Sequence, residues 1–265
     1  MLFNNNGINI YYEIEGSGPD VVLIHGFAAN LEHNWKRTNW IDTLKDENRV
    51  ILMDCRGHGK SDKPMDPALY GNKMIDDVVK LMDHLNIDKA NIFGYSMGSR
   101  IAFKILLDFP ERVKSAILGG FGLPSPIPEE IPLSPRSGHP IDGLDPKNID
   151  MVIELMGPDV KKFAEVTGAD IKAMAALMIN DLNSPHEMLP IEVLTKKNLK
   201  KIKVPIMSVA GSNDFFIPDK TIIAEVLPNA CHFQIANRDH LSTVGDPKFH
   251  MVVKSYLKFI NRNNK

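Results

Sequence analysis

At 265 residues the chain is long enough for one large domain, or for one domain carrying an insertion. Its 43% hydrophobic and 24% charged residues are those of a folded globular protein and exclude intrinsic disorder. Thirty-one basic residues against 33 acidic ones leave a formal charge of −2, which gives no bulk drive toward nucleic acid or an anionic membrane. Two cysteines cannot build a disulfide framework and suit a reducing compartment. No apolar run approaches the roughly 18 residues of a membrane span. The stretch from Met1 to Asp20 has neither a basic n-region nor an apolar h-region, so a cytoplasmic location is expected.

Along the chain, Ile8–Glu15 alternates loosely and reads as a half-buried strand, followed by the turn Gly16-Ser17-Gly18-Pro19. Val21–Ile24 is a short continuous β-branched run, the pattern of a parallel strand covered on both faces. Val50–Met53, Asn91–Phe93, Ser115–Leu118, Pro205–Val209 and Cys231–Ile235 repeat that pattern. Between them, Asn72–Leu85 places Ile75, Val78, Val79, Met82 and Leu85 three and four residues apart, which is helical spacing. Gly98–Asp108, Pro218–Leu227 and Pro247–Ile260 read as further helices. Strands alternating with helices predict an α/β protein with a mostly parallel central sheet.

One stretch interrupts this rhythm. Prolines stand at 124, 126, 128, 132, 135, 140 and 146, which removes amide donors and predicts an extended, irregular path. Helical patterns follow over Pro146–Met156, Pro158–Thr167 and Ala169–Asn183, and no buried-strand run returns until Val204. Residues 123–190 are therefore read as a mostly helical insertion, and residues 1–122 with 191–265 as one sheet domain.

The strongest local signal is Gly94-Tyr95-Ser96-Met97-Gly98, which follows a buried run and opens a helix. A serine held in a tight strand-to-helix turn is lifted clear of the sheet edge, and larger side chains at the flanking glycines would clash. The turn also aims the Met97 amide, at the helix N-terminus, toward a developing oxyanion. His25-Gly26-Phe27-Ala28 follows the Val21–Ile24 run, where the Phe27 amide can supply a second oxyanion donor. The His25 side chain itself reads as a structural group within that loop.

A nucleophilic serine needs a base, and the base needs an orienting acid. Asp214 lies just beyond the Pro205–Val209 strand, where active-site groups of open α/β sheets gather. His240 lies on the loop that follows the last strand, whereas the other histidines fall in early loops, helices, the insertion or a strand, His250 among them in the Pro247–Ile260 helix. The order Ser96, Asp214, His240 is the one this fold uses. Asp219 and Asp239 are the nearest competitors for the acid.

With these residues in place, the sequence resembles the α/β-hydrolase-fold serine hydrolases. It is similar to small bacterial esterases, cofactor-free haloperoxidases and enol-lactone hydrolases. The resemblance covers nearly the whole chain, is weakest over residues 123–190, and includes Asp54-Cys55-Arg56-Gly57-His58-Gly59-Lys60-Ser61, similar to the family's D-x-R-G-x-G-x-S segment. It implies Ser96 as nucleophile, His240 as base, Asp214 as acid, and Phe27 and Met97 as oxyanion donors. For Asp54 and His58 it implies a structural role, and residues 123–190 would form a cap. Two departures stand out. Ser99 occupies a position often held by glycine, which predicts looser helix–strand contact. Asp239 precedes His240 where glycine is common, which places a charge beside the base. Relatives that are haloalkane dehalogenases or epoxide hydrolases carry aspartate at the elbow, so Ser96 argues against both chemistries.

The expected activity is hydrolysis of carboxylic esters, of a carboxylesterase-like kind, acting on a small apolar ester or lactone, with no metal and no organic cofactor. The expected pocket is apolar, drawn from Phe27, Met97, Phe121, Phe215, Leu241 and the insertion. The alternatives are a C–C bond hydrolase and a non-catalytic binding protein on the same scaffold. Cys55 and Cys231 are expected to be buried in or beside strands. Met151, Met156, Met174 and Met178 read first as core filler, with a pocket roof as the other use. The basic run Lys196, Lys197, Lys200, Lys201 and Lys203 reads as a solvated helix end.

Overall fold

The structure is a computed structural model that describes residues 1–125, 127–129, 149–183, 194–217 and 219–263. Eight strands form one sheet: β1 (Leu2–Asn5), β2 (Ile8–Glu15), β3 (Asp20–Ile24), β4 (Arg49–Met53), β5 (Ala90–Tyr95), β6 (Val113–Gly119), β7 (Ile206–Gly211) and β8 (Ala230–Ile235). Their order across the sheet is β1-β2-β4-β3-β5-β6-β7-β8. β1, β2 and β4 pair antiparallel, and every pairing from β4 through β3 to β8 is parallel. This is the mostly parallel α/β sheet that the sequence predicts. β1 is an addition. It pairs with β2 across Asn6 and Gly7, whose φ values of 51° and 90° are the positive ones a two-residue hairpin turn requires.

The helices join the strands. α1 (Trp40–Leu44) precedes β4, α2 (Asn72–His84) precedes β5, and α3 (Met97–Asp108) links β5 to β6. α4 (Ile149–Leu155), α5 (Pro158–Thr167), α6 (Ile171–Asn183) and α7 (Lys196–Leu199) lie between β6 and β7. α8 (Ile222–Val226) precedes β8, and α9 (His240–Thr243) and α10 (Pro247–Asn263) follow it. α8 is shorter than the predicted Pro218–Leu227. The Asp219 carboxylate accepts the Thr221 and Ile222 amides and starts the helix there. Pro218 lies outside the described residues.

Alternation along the strands explains the continuous apolar runs. Val22, Ile24, Ile51, Met53, Ile92 and Leu118 face one core with Ile75 and Val78 of α2 and Ile101 and Phe103 of α3. Val21, Leu23, Val50, Leu52, Phe93 and Ile117 face the other with Trp35, Trp40 and Phe249. In that second core Trp40 packs edge-on against Phe93 at 4.7 Å and against Phe249 at 5.0 Å between ring centroids. α2 is amphipathic, with Ile75, Val78, Val79 and Met82 buried and Asp76 and Asp83 exposed. Cys55 is buried as expected, but Cys231 is exposed, because β8 is the sheet's last strand and is only half covered.

The stretch between β6 and β7 has the predicted helices, while the proline-rich path at 126 and 130–148 lies outside the described residues. Val152, Met156, Ala173, Met174, Ala175 and Ile179 pack together against Ala28, with Phe27 partly buried on the same cluster. Arg100 of α3 pairs with Asp181 of α6 at 2.9 Å. α4–α6 thus rest on the loop after β3 and on the helix that follows the elbow. Met156 and Met174 are fully packed in this cluster, the ordinary use of methionine as filler, and Met151 and Met178 are half-buried. Lys197, Lys200, Lys201 and Lys203 are exposed around α7, and Lys196 pairs with Glu129 at 2.9 Å. No helix among the described residues is long and apolar enough to cross a membrane.

Candidate active site

The elbow is built by close backbone approach. Ser96 sits between β5 and α3 with φ 53° and ψ −114°, a region that side-chain-bearing residues rarely occupy. A Cβ on Gly98 would lie 1.9 Å from the Ile24 carbonyl oxygen, and one on Gly94 would lie 2.2 Å from the Gly98 oxygen. Both positions therefore require glycine. The Ser96 amide donates to Gly119 O at 2.8 Å, which ties the turn to β6. Ser99 corrects the expectation of looser contact. It is fully buried, and its hydroxyl lies 2.8 Å from both Gly94 O and Gly119 O, sharing its one proton between β5 and β6.

The three candidate residues meet. His240 Nε2 is 2.8 Å from Ser96 Oγ, and His240 Nδ1 is 2.8 Å from Asp214 Oδ2. The Asp214 side chain is wholly buried, and its other oxygen accepts the Phe216 amide at 3.1 Å. With Nδ1–H donating to the Asp214 carboxylate, Nε2 is left as the acceptor that faces the serine hydroxyl. Tyr95 O–H donates to the His240 carbonyl at 2.5 Å, and burial raises its pKa well above the ordinary phenol value. Gly120, at φ 59°, leaves room for the imidazole, since a Cβ there would come within 3.0 Å of His240 Cε1. The competing acids are engaged elsewhere. Asp219 starts α8. Asp239 accepts the Leu241 and Ser242 amides and the Ser242 hydroxyl as the N-cap of α9, bonds that hold its carboxyl below the usual range.

The loop after β3 runs beside the nucleophile. A Cβ on Gly26 would lie 3.3 Å from Ser96 Cβ. The Gly26 amide donates to Asn34 Oδ1 at 3.1 Å, and the Ala29 amide donates to Gly26 O at 3.2 Å, closing a turn around Phe27 and Ala28. Among the described residues no protein acceptor takes the Phe27 or the Met97 amide. His25 is structural. Its Nε2 accepts the Cys55 amide at 3.0 Å, and burial lowers its pKa. Asp54 accepts the Leu31 and Lys60 amides, both at 2.8 Å. Arg56 forms a two-pronged, buried ion pair with Asp77, both contacts being 2.6 Å. His58 Nε2 accepts the Ala28 amide at 3.2 Å, and burial drives its pKa down to about 3.

The apolar residues are distributed unevenly. Met97 and Phe121 are buried, Phe121 against Phe103 at 5.6 Å, and Phe27 is half-buried. Phe215 and Leu241 are 77% and 62% exposed. The ring against the imidazole is Phe216, 4.9 Å from His240, with Phe215 stacked outside it. Sequence reasoning missed Phe216, although it is Phe215's neighbour, and missed Tyr95, although it lies inside the motif. A cleft of ≈ 260 Å³ lined by Tyr11, Asn30, Lys60 and Thr167, among others, contains none of the three meeting residues. Among the described residues no group of three or more His, Cys, Asp or Glu could hold a metal ion.

The model of the α/β hydrolase fold family matches residues 19–134. Over 118 residues the chain is 36% identical to fluoroacetate dehalogenase of a Burkholderia species, covering 43% of this chain and 38% of that one. The solved structure of an N-acyl homoserine lactone degrading enzyme superposes with TM-score 0.71 at 23% identity, covering 97% of this chain and 100% of that one. The enol-lactonase of Burkholderia xenovorans superposes with TM-score 0.69 at 20% identity, covering 98% and 99%. At such identities these two structures bear on the fold. The chain spans between 31% and 55% of the length of the first curated relatives it matches. With this strand order, a strained elbow after β5 and the family match through it, the chain has the α/β-hydrolase fold.

Proposed function

We propose that the protein is a serine hydrolase that cleaves carboxylic esters, with small apolar esters or lactones as substrates. The observation that carries this reading is the continuous chain of hydrogen bonds from Asp214 through His240 to Ser96, 2.8 Å at each step, ending on a serine held at positive φ. His240 Nε2 takes the Ser96 proton as Oγ attacks the ester carbonyl. The Phe27 and Met97 amides receive the oxyanion, and each such donor is worth about 10²–10³ in turnover. His240 then protonates the leaving alcohol, and the acyl-enzyme is released by a water that His240 deprotonates. Asp214 holds the Nδ1–H tautomer and stabilises the imidazolium without becoming protonated. Under this reading residues 123–190 act as a cap, and no metal or organic cofactor takes part.

The lactone-cleaving enzymes among the structural neighbours lend support to an ester or lactone substrate. The dehalogenase relative does not redirect the chemistry, because the aspartate expected of that chemistry is replaced by Ser96. The test is a panel of p-nitrophenyl esters, lactones and vinylogous diketones, run with wild type and Ser96→Ala, beside fluorophosphonate labelling read by mass spectrometry. Ester or lactone turnover that vanishes in Ser96→Ala, with label on Ser96, is the expected result. Diketone cleavage alone would move the assignment to C–C hydrolysis, and a folded protein that neither turns over nor labels would be a binder.

A further inference from the structure

Ala28 is unusual in three respects. It is a non-glycine residue at φ 54°, it is wholly buried, and its backbone is held at both ends by side chains from distant segments. Its amide donates to His58 Nε2 at 3.2 Å. That nitrogen can accept because His58 Nδ1 lies 3.0 Å from Arg56 O, which takes the ring's proton. Its carbonyl accepts the Thr167 hydroxyl at 2.6 Å. Thr167 Oγ1 has one proton and longer alternatives within its own helix, Phe163 O at 3.1 Å and Ala164 O at 3.2 Å. The Thr167 carbonyl in turn accepts Asn30 Nδ2 at 3.1 Å, so two hydrogen bonds run in opposite senses between the end of α5 and the loop after β3.

A left-handed conformation at a non-glycine residue is strained and persists only where its surroundings impose it. Here the surroundings are His58 on one side and Thr167 on the other. Phe27 and Ala28 are the two central residues of the turn closed from Ala29 N to Gly26 O. The Ala28 carbonyl and the Ala29 amide belong to one peptide, and Gly26 O and the Phe27 amide to another, which His25 Nδ1 also holds at 2.8 Å, so the turn bond couples the Thr167 contact to the orientation of the Phe27 amide.

We propose that Thr167, an insertion residue, is a positioning residue for the oxyanion loop: through the Ala28 carbonyl it holds the Phe27 amide in line with Ser96. This role rests on the ester-hydrolase reading above. It makes the docking of α5 a condition for full transition-state stabilisation, distinct from any contact of the insertion with substrate.

The experiment measures kcat and KM on a p-nitrophenyl ester for wild type, Thr167→Val and Thr167→Ser, with thermal unfolding of each. Loss of alignment should cost less than loss of the donor itself, so kcat should fall about tenfold in Thr167→Val with KM within about twofold. Thr167→Ser, which keeps the hydroxyl, should recover most of it. Thr167→Ala serves in the same comparison if the valine variant does not fold. An active wild type with Thr167→Val unchanged in kcat, or with Thr167→Ser as impaired as Thr167→Val, overturns the positioning role alone. A wild type with neither ester turnover nor fluorophosphonate labelling overturns the hydrolase reading and this role with it.

Discussion

Asp214→Asn tests the site at its buried end. Asp214 Oδ1 accepts the Phe216 amide, and Oδ2 faces His240 Nδ1. An asparagine must keep its only carbonyl oxygen toward the Phe216 amide or leave that donor unmatched. Its amide nitrogen then occupies the Oδ2 position and donates to Nδ1. The imidazole proton moves to Nε2, the atom that has to accept from Ser96, and the base is lost although the geometry survives. A wrong tautomer of this kind costs about 10⁴ in turnover, which corresponds to about 5.4 kcal/mol at about 1.36 kcal/mol per decade. The assay is ester hydrolysis by Asp214→Asn beside Asp239→Asn, with a melting curve for each. Asp239 caps α9 without touching the imidazole, and asparagine caps about as well as aspartate, so its variant should keep activity within about threefold and change stability by no more than about 0.5 kcal/mol. Retention of more than about a tenth of wild-type activity in Asp214→Asn, or a larger loss in Asp239→Asn, would refute the assignment of the acid.

Two further outcomes concern the scaffold. Asp77→Asn leaves Arg56, 3% exposed, without its partner charge and should cost about 3–5 kcal/mol in urea unfolding; a loss under about 1 kcal/mol would contradict the buried pair. His58 is held neutral, with its pKa moved from 6.5 to about 3. Between those values the unfolded chain binds the proton and the folded one does not. The stability it contributes is therefore complete above pH 6.5 and is lost as pH falls toward 3, by at most about 1.4 kcal/mol per pH unit. Buried His25 shifts in the same direction. His58→Gln should flatten the acid limb of stability against pH, and an unchanged slope would refute the shift.

Much of this was legible because the signals are local. A strand covered on both faces must be apolar at every position, so β3 to β7 stand out as runs. The elbow is three fixed residues in five positions, Gly94, Ser96 and Gly98, and the order of Ser96, Asp214 and His240 follows from where strands end. What escaped depends on partners far away or on one-residue geometry. β1 escaped because Leu2 is exposed and the strand is four residues long, although Asn6-Gly7 is a hairpin signature. α1 and α9 are too short to show a period. Adjacent Phe215 and Phe216 give no hint of which ring meets His240. Ser99 was misread because its value lies in two carbonyls, on β5 and β6, that only the folded sheet brings to it. The Thr167–Ala28 bond spans 139 residues and has no sequence pattern at all.

The separation of Ser96 from His240, 144 residues, also sets an order of events in biosynthesis. At about 5–20 residues per second, roughly 7–30 s pass between synthesis of the serine and synthesis of its base. Throughout that interval the elbow, the loop after β3 and the helices α4–α6 exist on a nascent chain that, under the proposed mechanism, lacks the base for its serine. β8 and α9 then arrive together, so under the proposed mechanism reactivity switches on with the segment that completes the sheet. Under the proposed mechanism, hydrolysis would be a strict reporter of finished folding: a chain lacking that last segment would be chemically silent, however native the rest of it.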